Sequence, residues 1–328
     1  MLRFLIRRSV YMLLTIVLVS MVAFILIQLP PGDFLTSYIA DLEASGGQVP
    51  ESEIVALKRM YGLDRPITFQ YLRWIWNIIS KGDFGRSFQW SKPVSELIWE
   101  RFTITVVMSL SAMLFTIVVA IPIGIYSALN QYTIADFSFT FVGYIGLATP
   151  PFLFALSLMY IGHKVFGASV GGLFSPDFIE APWSIARVLD MLSHLWIPVI
   201  VLGTAGTAAL IRIMRSMLLD ELRKQYVVTA RAKGQTERKV IFRYPVRIAL
   251  NPVISTLGLR LATIISGAPI VAVVLSLPTT GPLLLRSLLS QDMYLAGSFF
   301  LLLSTFTVFG TFVSDIVLAA MDPRIRME

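Results

Sequence analysis

Residues 103–128 read TITVVMSLSAMLFTIVVAIPIGIYSA, with no charged side chain anywhere in the window between Arg101 and Asp136. A helix of about 20 largely apolar residues is enough to cross a hydrocarbon core of about 30 Å, so this run is a membrane span. Five more stretches pass the same test, at 10–29, 137–162, 194–214, 249–275 and 294–321. The expected fold class is therefore an all-α integral membrane protein with six transmembrane helices. The whole chain agrees with this reading. Of its 328 residues 56% are hydrophobic and 14% charged, where a soluble domain is about a quarter charged, and its mean hydropathy is +0.75.

The first stretch could be confused with a secretory signal. A signal's apolar region runs about 7–15 residues and closes on a small-residue cleavage site, whereas this run has 20 residues and ends in Pro30-Pro31-Gly32. A retained span is expected. Composition also narrows the chemistry. With no cysteine there is no disulfide, zinc-thiolate site or thiol nucleophile. Two histidines, His163 and His194, are too few for a histidine metal cage. No Gly-Lys dipeptide occurs, so no P-loop is present. A membrane-embedded enzyme would need a nucleophile–base or metal constellation, and none assembles. An ion-coupled secondary transporter would be expected to carry acidic or histidine residues inside its spans; only Asp315, in the sixth stretch, qualifies.

Charge sets the expected orientation. Residues 212–247 hold ten basic and three acidic side chains, a surplus of seven that accounts for the whole formal charge of +7. Arg3, Arg7 and Arg8 place residues 1–9 in the cytoplasm, and six crossings return the carboxyl terminus there. The 218–248 connection then lies inside with eight basic residues, while the outer connections 165–193 and 276–293 carry only Arg187 and Arg286. The long loop 30–102 falls outside, its eight basic residues balanced by nine acidic ones. All six tryptophans (Trp74, Trp76, Trp90, Trp99, Trp183 and Trp196) lie on this outer side or at its interface. Within the loop, Pro50 to Gly62 predicts a short helix with Ile54, Leu57 and Met60 on one face, and Phe69 to Ile79 a second, aromatic-rich one stopped at Gly82. Such an amphipathic segment lies in the membrane interface, docks a partner, or caps the spans.

The inner connection predicts two short helices around a corner. In LLDELRKQYVVTARAKG, Leu218, Leu222, Tyr226 and Ala230 recur every fourth residue and form one packing face. Gly234 stands where a helix C-cap needs a left-handed residue. Thr236 is placed to cap a second helix, Glu237 favours that helix's dipole, and Pro245 stops it. A bare positive-inside loop, a nucleic-acid reader and a docking element for a cytoplasmic motor are the three readings of this segment. The basic residues lack the aromatic interleaving of a nucleic-acid site.

Tyr226-Val227-Val228-Thr229-Ala230-Arg231-Ala232-Lys233-Gly234, followed by Arg247, Ala249-Leu250 and Pro252, resembles the loop of importer permeases of the ATP-binding-cassette (ABC) class, specifically the peptide/nickel branch with its oligopeptide and dipeptide B-type permeases. The resemblance runs along nearly the whole chain. It includes Pro31-Gly32-Asp33, Tyr61-Gly62-Leu63-Asp64-Arg65-Pro66, Gly82-Asp83-Phe84-Gly85 with Ser87, and Pro93-Val94. It continues through Ile121-Pro122-Ile123-Gly124, Thr149-Pro150-Pro151-Phe152, His194-Leu195 with Pro198, Arg212, Arg215-Ser216 and Asp322-Pro323-Arg324-Ile325-Arg326. Each motif is weak by itself; their order and spacing are specific.

The resemblance implies a type I ABC importer permease fold with its core at 103–321, in a bacterial inner membrane. It implies a second homologous permease, two ATP-binding subunits that hold ATP and Mg, and an extracytoplasmic substrate-binding protein, with no cofactor on this chain and no nucleic-acid partner. It implies that Tyr226, Thr229, Ala230, Arg231, Ala232, Lys233 and Gly234 couple to an ATPase, with Arg231 and Lys233 meeting its acceptors.

This chain departs from the pattern near the outer end of the fifth stretch. Where a glutamate, a phenylalanine and a Pro-Gly pair are usual, it has Ala272, Leu275 and Leu277-Pro278-Thr279-Thr280-Gly281-Pro282. Losing that acid brings short oligosaccharides into consideration beside peptides. Ala272 and Arg260 are the candidate path residues. Arg260 is costly in lipid and is expected to face a bundle interior or aqueous path, touching cargo or pairing, for instance with Asp315. Pro122, Pro150, Pro151, Pro198, Pro252 and Pro269 are candidate bending points or fixed kinks.

Overall fold

The computed structural model describes residues 2–28, 65–87, 89–166, 171–179 and 181–321. The expected helix at Pro50 to Gly62, the Pro31-Gly32-Asp33 motif and the tail motif from Asp322 lie outside them. The described helices are α1 (Leu2–Gln28), α2 (Ile67–Lys81), α3 (Val94–Leu129), α4 (Ile134–Ala148), α5 (Pro151–Phe166), α6 (Ile185–His194), α7 (Trp196–Leu222), α8 (Gln225–Ala232), α9 (Glu237–Arg243), α10 (Pro245–Ser255), α11 (Leu257–Val274), α12 (Thr280–Leu289) and α13 (Met293–Met321). Helices α1, α3, α7, α11 and α13 each contain an apolar segment long enough to span a membrane.

A sixth crossing requires α4 and α5 together, and they meet at 107°. The stretch 137–162, expected to be one span, is therefore broken at its middle. The cause is Pro150-Pro151: a residue before proline is pushed out of the helical region, and Thr149 is extended at φ −84°, ψ 121°. Pro151 then sits at the first position of α5, where a missing N–H costs nothing. The stretch 249–275 is likewise divided between α10 and α11 at Thr256, whose N–H reaches back to the carbonyls of Pro252 and Val253.

The chain packs as two compact units. One comprises Met1–Ser9, Val106–Pro278 and Thr307–Glu328. Its centre is α7, against which α4, α5, α10 and α11 pack. Ala120, Leu210, Met214, Leu218, Ile241, Ala249 and Val253 form the buried core around it. Without a hydrophobic contrast between lipid tails and leucine, close approach through small residues must hold such helices together. A Cβ added to Gly124 would sit 2.7 Å from the Met214 Cβ, and one on Gly258 2.6 Å from the Thr311 Cα. Gly310 in turn receives the Leu261 side chain. Polar links add to this packing: Thr116 Oγ1 donates to the Gly203 carbonyl at 3.0 Å, and Ser314 Oγ to that of Ile254. Arg215 grips Asp136 with Nε at 3.1 Å and Nη2 at 2.9 Å, tying α7 to the first turn of α4.

The other unit comprises Val10–Thr105 and Thr279–Phe306. Phe24, Trp74 and Leu301 form its small core, with the Phe24 ring 5.5 Å from that of Tyr71. The Gly82-Asp83-Phe84-Gly85 turn is fixed by sterics and by one carboxylate. Gly82 closes α2 at φ +63°, and a Cβ on Gly85 would strike the Tyr294 ring at 2.8 Å. Fully buried Asp292 accepts from Ser87 Oγ and, at 3.3 Å, from the Leu295 N–H, which caps α13.

Candidate functional site

The elbow at 218–248 starts where α7 ends. The face read as one repeat of Leu218, Leu222, Tyr226 and Ala230 is interrupted at Arg223-Lys224. Leu218 and Leu222 belong to the α7 core, whereas Tyr226 and Ala230 join Val227, Val240 and Tyr244 in a separate small core between α8 and α9. The elbow thus packs on itself. It is also rooted in the bundle, because Ile241 of α9 is buried with Met214, Val246 and Val253.

Its corner is set by backbone geometry. Gly234 has φ +72°; its N–H meets the Arg231 carbonyl at 2.9 Å, while the Lys233 N–H meets that of Thr229 at 3.1 Å. Thr236 occupies the cap position of α9, but its side chain makes no capping bond, contrary to the expectation from its position. The corner is closed instead by charge. Arg231 clasps Glu237, with Nη2 at 2.6 Å and Nε at 3.0 Å and 3.2 Å. Arg231 thus has a partner inside the elbow while its side chain stays 42% exposed, and the pair holds the Glu237 carboxyl below the usual range. Tyr226 donates to Glu221 at 2.5 Å; burial first, and that carboxylate second, push its phenol well above the ordinary value.

The structure separates the expected coupling residues into two groups. Thr229, Arg231, Ala232, Lys233 and Gly234 are exposed together at the corner. Ala230 is buried and Tyr226 half-buried, so these two shape the elbow rather than present it. Lys233, Arg238, Lys239 and Arg243 are exposed and, among the described residues, make no ion pair inside the elbow. Sequence reading did not single out Val228 and Phe242, which leave apolar side chains in the open, 49% and 53% exposed. Their exposure depends on which helix faces the small core, and that only folding decides.

The two path candidates, Arg260 and Ala272, both lie on α11, away from the elbow. Arg260 is half-buried, and its Nη1 donates to the Gly206 carbonyl on α7 at 2.9 Å. Asp315 is not its partner: that carboxylate accepts from Arg8 Nη2 at 3.3 Å and lies in ion-pair range of Arg8 Nε, also at 3.3 Å. The acceptor is a main-chain oxygen, so among the described residues the guanidinium is neutralised by no carboxylate; a Cβ on Gly206 would meet Nη1 at 3.6 Å, an ordinary contact. Ala272 is fully buried. Its carbonyl accepts from the Leu277 N–H at 2.8 Å in a turn that closes α11 with Ser276 at φ +53°. Among the described residues no three His, Asp or Glu side chains converge on a metal-sized site.

Residues 120–327 match the model of the binding-protein-dependent transport system inner membrane component, and residues 1–111 match that of its N-terminal region. The chain belongs to this family. It is the membrane-spanning permease subunit of an ABC importer, and the ion-coupled transporter reading is set aside. Among the permease's relatives is the oligopeptide transport system permease protein AppB of Bacillus subtilis, 33% identical over 325 residues, 98% of this chain and 99% of that one. The dipeptide transport system permease protein DppB of Escherichia coli K12 is 29% identical over 342 residues, 99% of each chain. The oligopeptide transport system permease protein OppB of Haemophilus influenzae is 31% identical over 327 residues, 99% of this chain and all of that one. An inward-facing structure of the MetNI methionine ABC transporter shares the fold at TM-score 0.54 and 15% identity, over 70% of this permease and 97% of that chain. The permease is a multi-pass membrane protein with the type I ABC importer fold.

Proposed function

We propose that this permease forms half of a peptide path across a bacterial inner membrane, with its elbow and both termini in the cytoplasm. A second, homologous permease supplies the other half, most simply as a heterodimer. Two ATP-binding subunits dock under the elbow and hold ATP and Mg, while this chain binds no nucleotide and carries out no hydrolysis. A binding protein delivers cargo from outside. The peptide assignment rests on the relatives named above. Short oligosaccharides are the second reading, carried by Ala272, which replaces the glutamate that the resemblance leads one to expect.

The observation that carries the coupling role is the elbow's construction. Thr229, Arg231, Ala232, Lys233 and Gly234 share an exposed corner, on a hairpin with its own core, whose Ile241 is seated among α7 and α10 residues. A push on that corner is transmitted to α7 by packed side chains, not through a slack linker. Alternating access needs such a two-state element that both ends can bias. Lys233 and the exposed Val228 and Phe242 supply a charge and apolar anchors for the ATPase, and Arg231 holds the corner's shape through Glu237.

The chain has no cysteine, so Ala232→Cys provides a unique handle. In the reconstituted importer it should cross-link to a cysteine in the cleft of an ATPase subunit, with a yield that changes between nucleotide-free and ATP-bound states. Peptide uptake should require ATP and both permeases. Labelling of the Ala232→Cys variant by an impermeant thiol reagent from the outer side, or uptake without the ATPases, would refute the proposal.

A further inference from the structure

Helix α6 (Ile185–His194) leads into the span α7 with only Leu195 between them, and its two faces differ sharply. The inner face is assembled around a buried cation. Arg187, 6% exposed, lies between two aromatic rings, 4.7 Å from the centre of Phe174 and 4.6 Å from that of Trp183. It donates to the carbonyls of Ala181 at 2.5 Å and Ile179 at 3.1 Å. Three residues on, Asp190 accepts from the Ser175 N–H at 2.8 Å and its hydroxyl at 2.6 Å. Met191 and Leu195 are buried beside them. These contacts commit one side of α6 to the protein.

The opposite side has no cover among the described residues. Ile185, Val188, Leu189 and Leu192, at the i, i+3, i+4, i+7 spacing of one helix face, are 81%, 38%, 61% and 51% exposed. Trp183 and Trp196, both exposed, flank the helix. Soluble surfaces rarely carry so continuous an apolar strip, but a helix lying in a membrane interface requires one. Two observations favour lipid as its occupant. Trp196 begins a helix that itself crosses the bilayer, so α6 sits at the level where that bilayer ends. Tryptophan at both ends of the strip is the usual furnishing of the headgroup zone.

We propose that α6 is an interfacial helix, rotated by the Arg187 clamp so that Ile185, Val188, Leu189 and Leu192 enter the acyl boundary of the leaflet in which α7 begins. This rests only on the chain's being a membrane permease, not on the cargo or the coupling assignment.

Spin labels on Leu189→Cys and Leu192→Cys, in the importer reconstituted with its partner subunits in liposomes, test it through collision with oxygen and with a water-soluble nickel chelate. The labels should lie roughly 5–10 Å below the lipid phosphates, and a label on exposed Ser193 should be nickel-accessible instead. Nickel access at 189 and 192 equal to that at 193 would overturn the proposal by showing water there. Exclusion of both reagents would overturn it by showing protein cover, as from the second permease. Either position suffices if the other variant does not insert, and depth is read from whichever surface is nearer, so a wrong topology would not affect the result.

Discussion

Replacing Gly234 tests whether backbone geometry or an exposed side chain makes the elbow's corner. At φ +72° any other L-residue pays strain, roughly 1–2 kcal/mol for an ordinary side chain and much less for asparagine, which visits this region. A Cβ at Gly234 meets nothing within 4 Å, so no clash within the permease adds to that strain. One or two kcal/mol corresponds to a factor of about 5–30 in the population of the native turn. Because the apparent affinity of a partner falls with the fraction of the competent form, Gly234→Val should weaken ATPase binding measurably, by at most that factor, which is reached where the native turn becomes the minor form. Uptake per ATP hydrolysed should fall with it in proteoliposomes, while the amount of inserted permease stays unchanged. Gly234→Asn should retain most of the affinity. Wild-type affinity and uptake for the valine variant would refute the reasoning. An asparagine variant as weak as valine would refute it in another way, by showing that bulk at the ATPase contact, not turn conformation, is limiting.

Asp136 and Arg215 form a pair whose side chains are 4% and 26% exposed. Arg215→Met leaves a buried carboxylate that keeps the Tyr132 N–H but loses both guanidinium bonds. It should cost about 3–5 kcal/mol, read as a lowered unfolding temperature in detergent, and adding Asp136→Leu should recover a large part of the loss. Gly258→Ala drives a methyl to 2.6 Å from the Thr311 backbone; the α11–α13 contact must open, and a sharply reduced monodisperse fraction is expected on size-exclusion chromatography, with Gly267→Ala, in open space, as the unaffected control. The Arg231–Glu237 pair has a defined pH window. Its carboxyl is depressed in the folded elbow, so its contribution is complete above the ordinary glutamate range and is lost as pH falls through the lower folded value. ATPase affinity should therefore be flat from about pH 6 to 8 as far as this pair is concerned, and Glu237→Gln should weaken it equally across that interval.

Much of the coupling element was legible because its signals are local. A glycine after a helical run, a proline eight residues beyond Glu237 and a cluster of arginines need no long-range partner to be read. What escaped was every question of which side chain meets which. The pairing of exposed Arg231 with Glu237, six positions on across the corner, was not read from the sequence. Arg260 and Asp315 are two polar residues in apolar surroundings, and their partners turned out to be the Gly206 carbonyl and Arg8, one invisible to residue-type reasoning and the other about 300 positions away. Val228 and Phe242 were indistinguishable from packing residues until α8 and α9 closed on Val227 and Val240.

Apolar run lengths and the local excess of arginine determined by themselves that this chain lives in a bilayer, roughly which stretches cross it, and which connection carries its charge. Those properties depend on the solvent and on neighbouring residues, both of which a linear pattern encodes. Tertiary structure alone decided that the elbow is a self-packed hairpin rooted by Ile241, that Ala272 is buried, and that α6 turns one face to Arg187 and leaves the other bare. The physical reason is that a helix fixes the spacing of its side chains but not its rotation about its own axis; that rotation is chosen by the close contacts, as at Gly124 and Gly258, that only the assembled bundle can make.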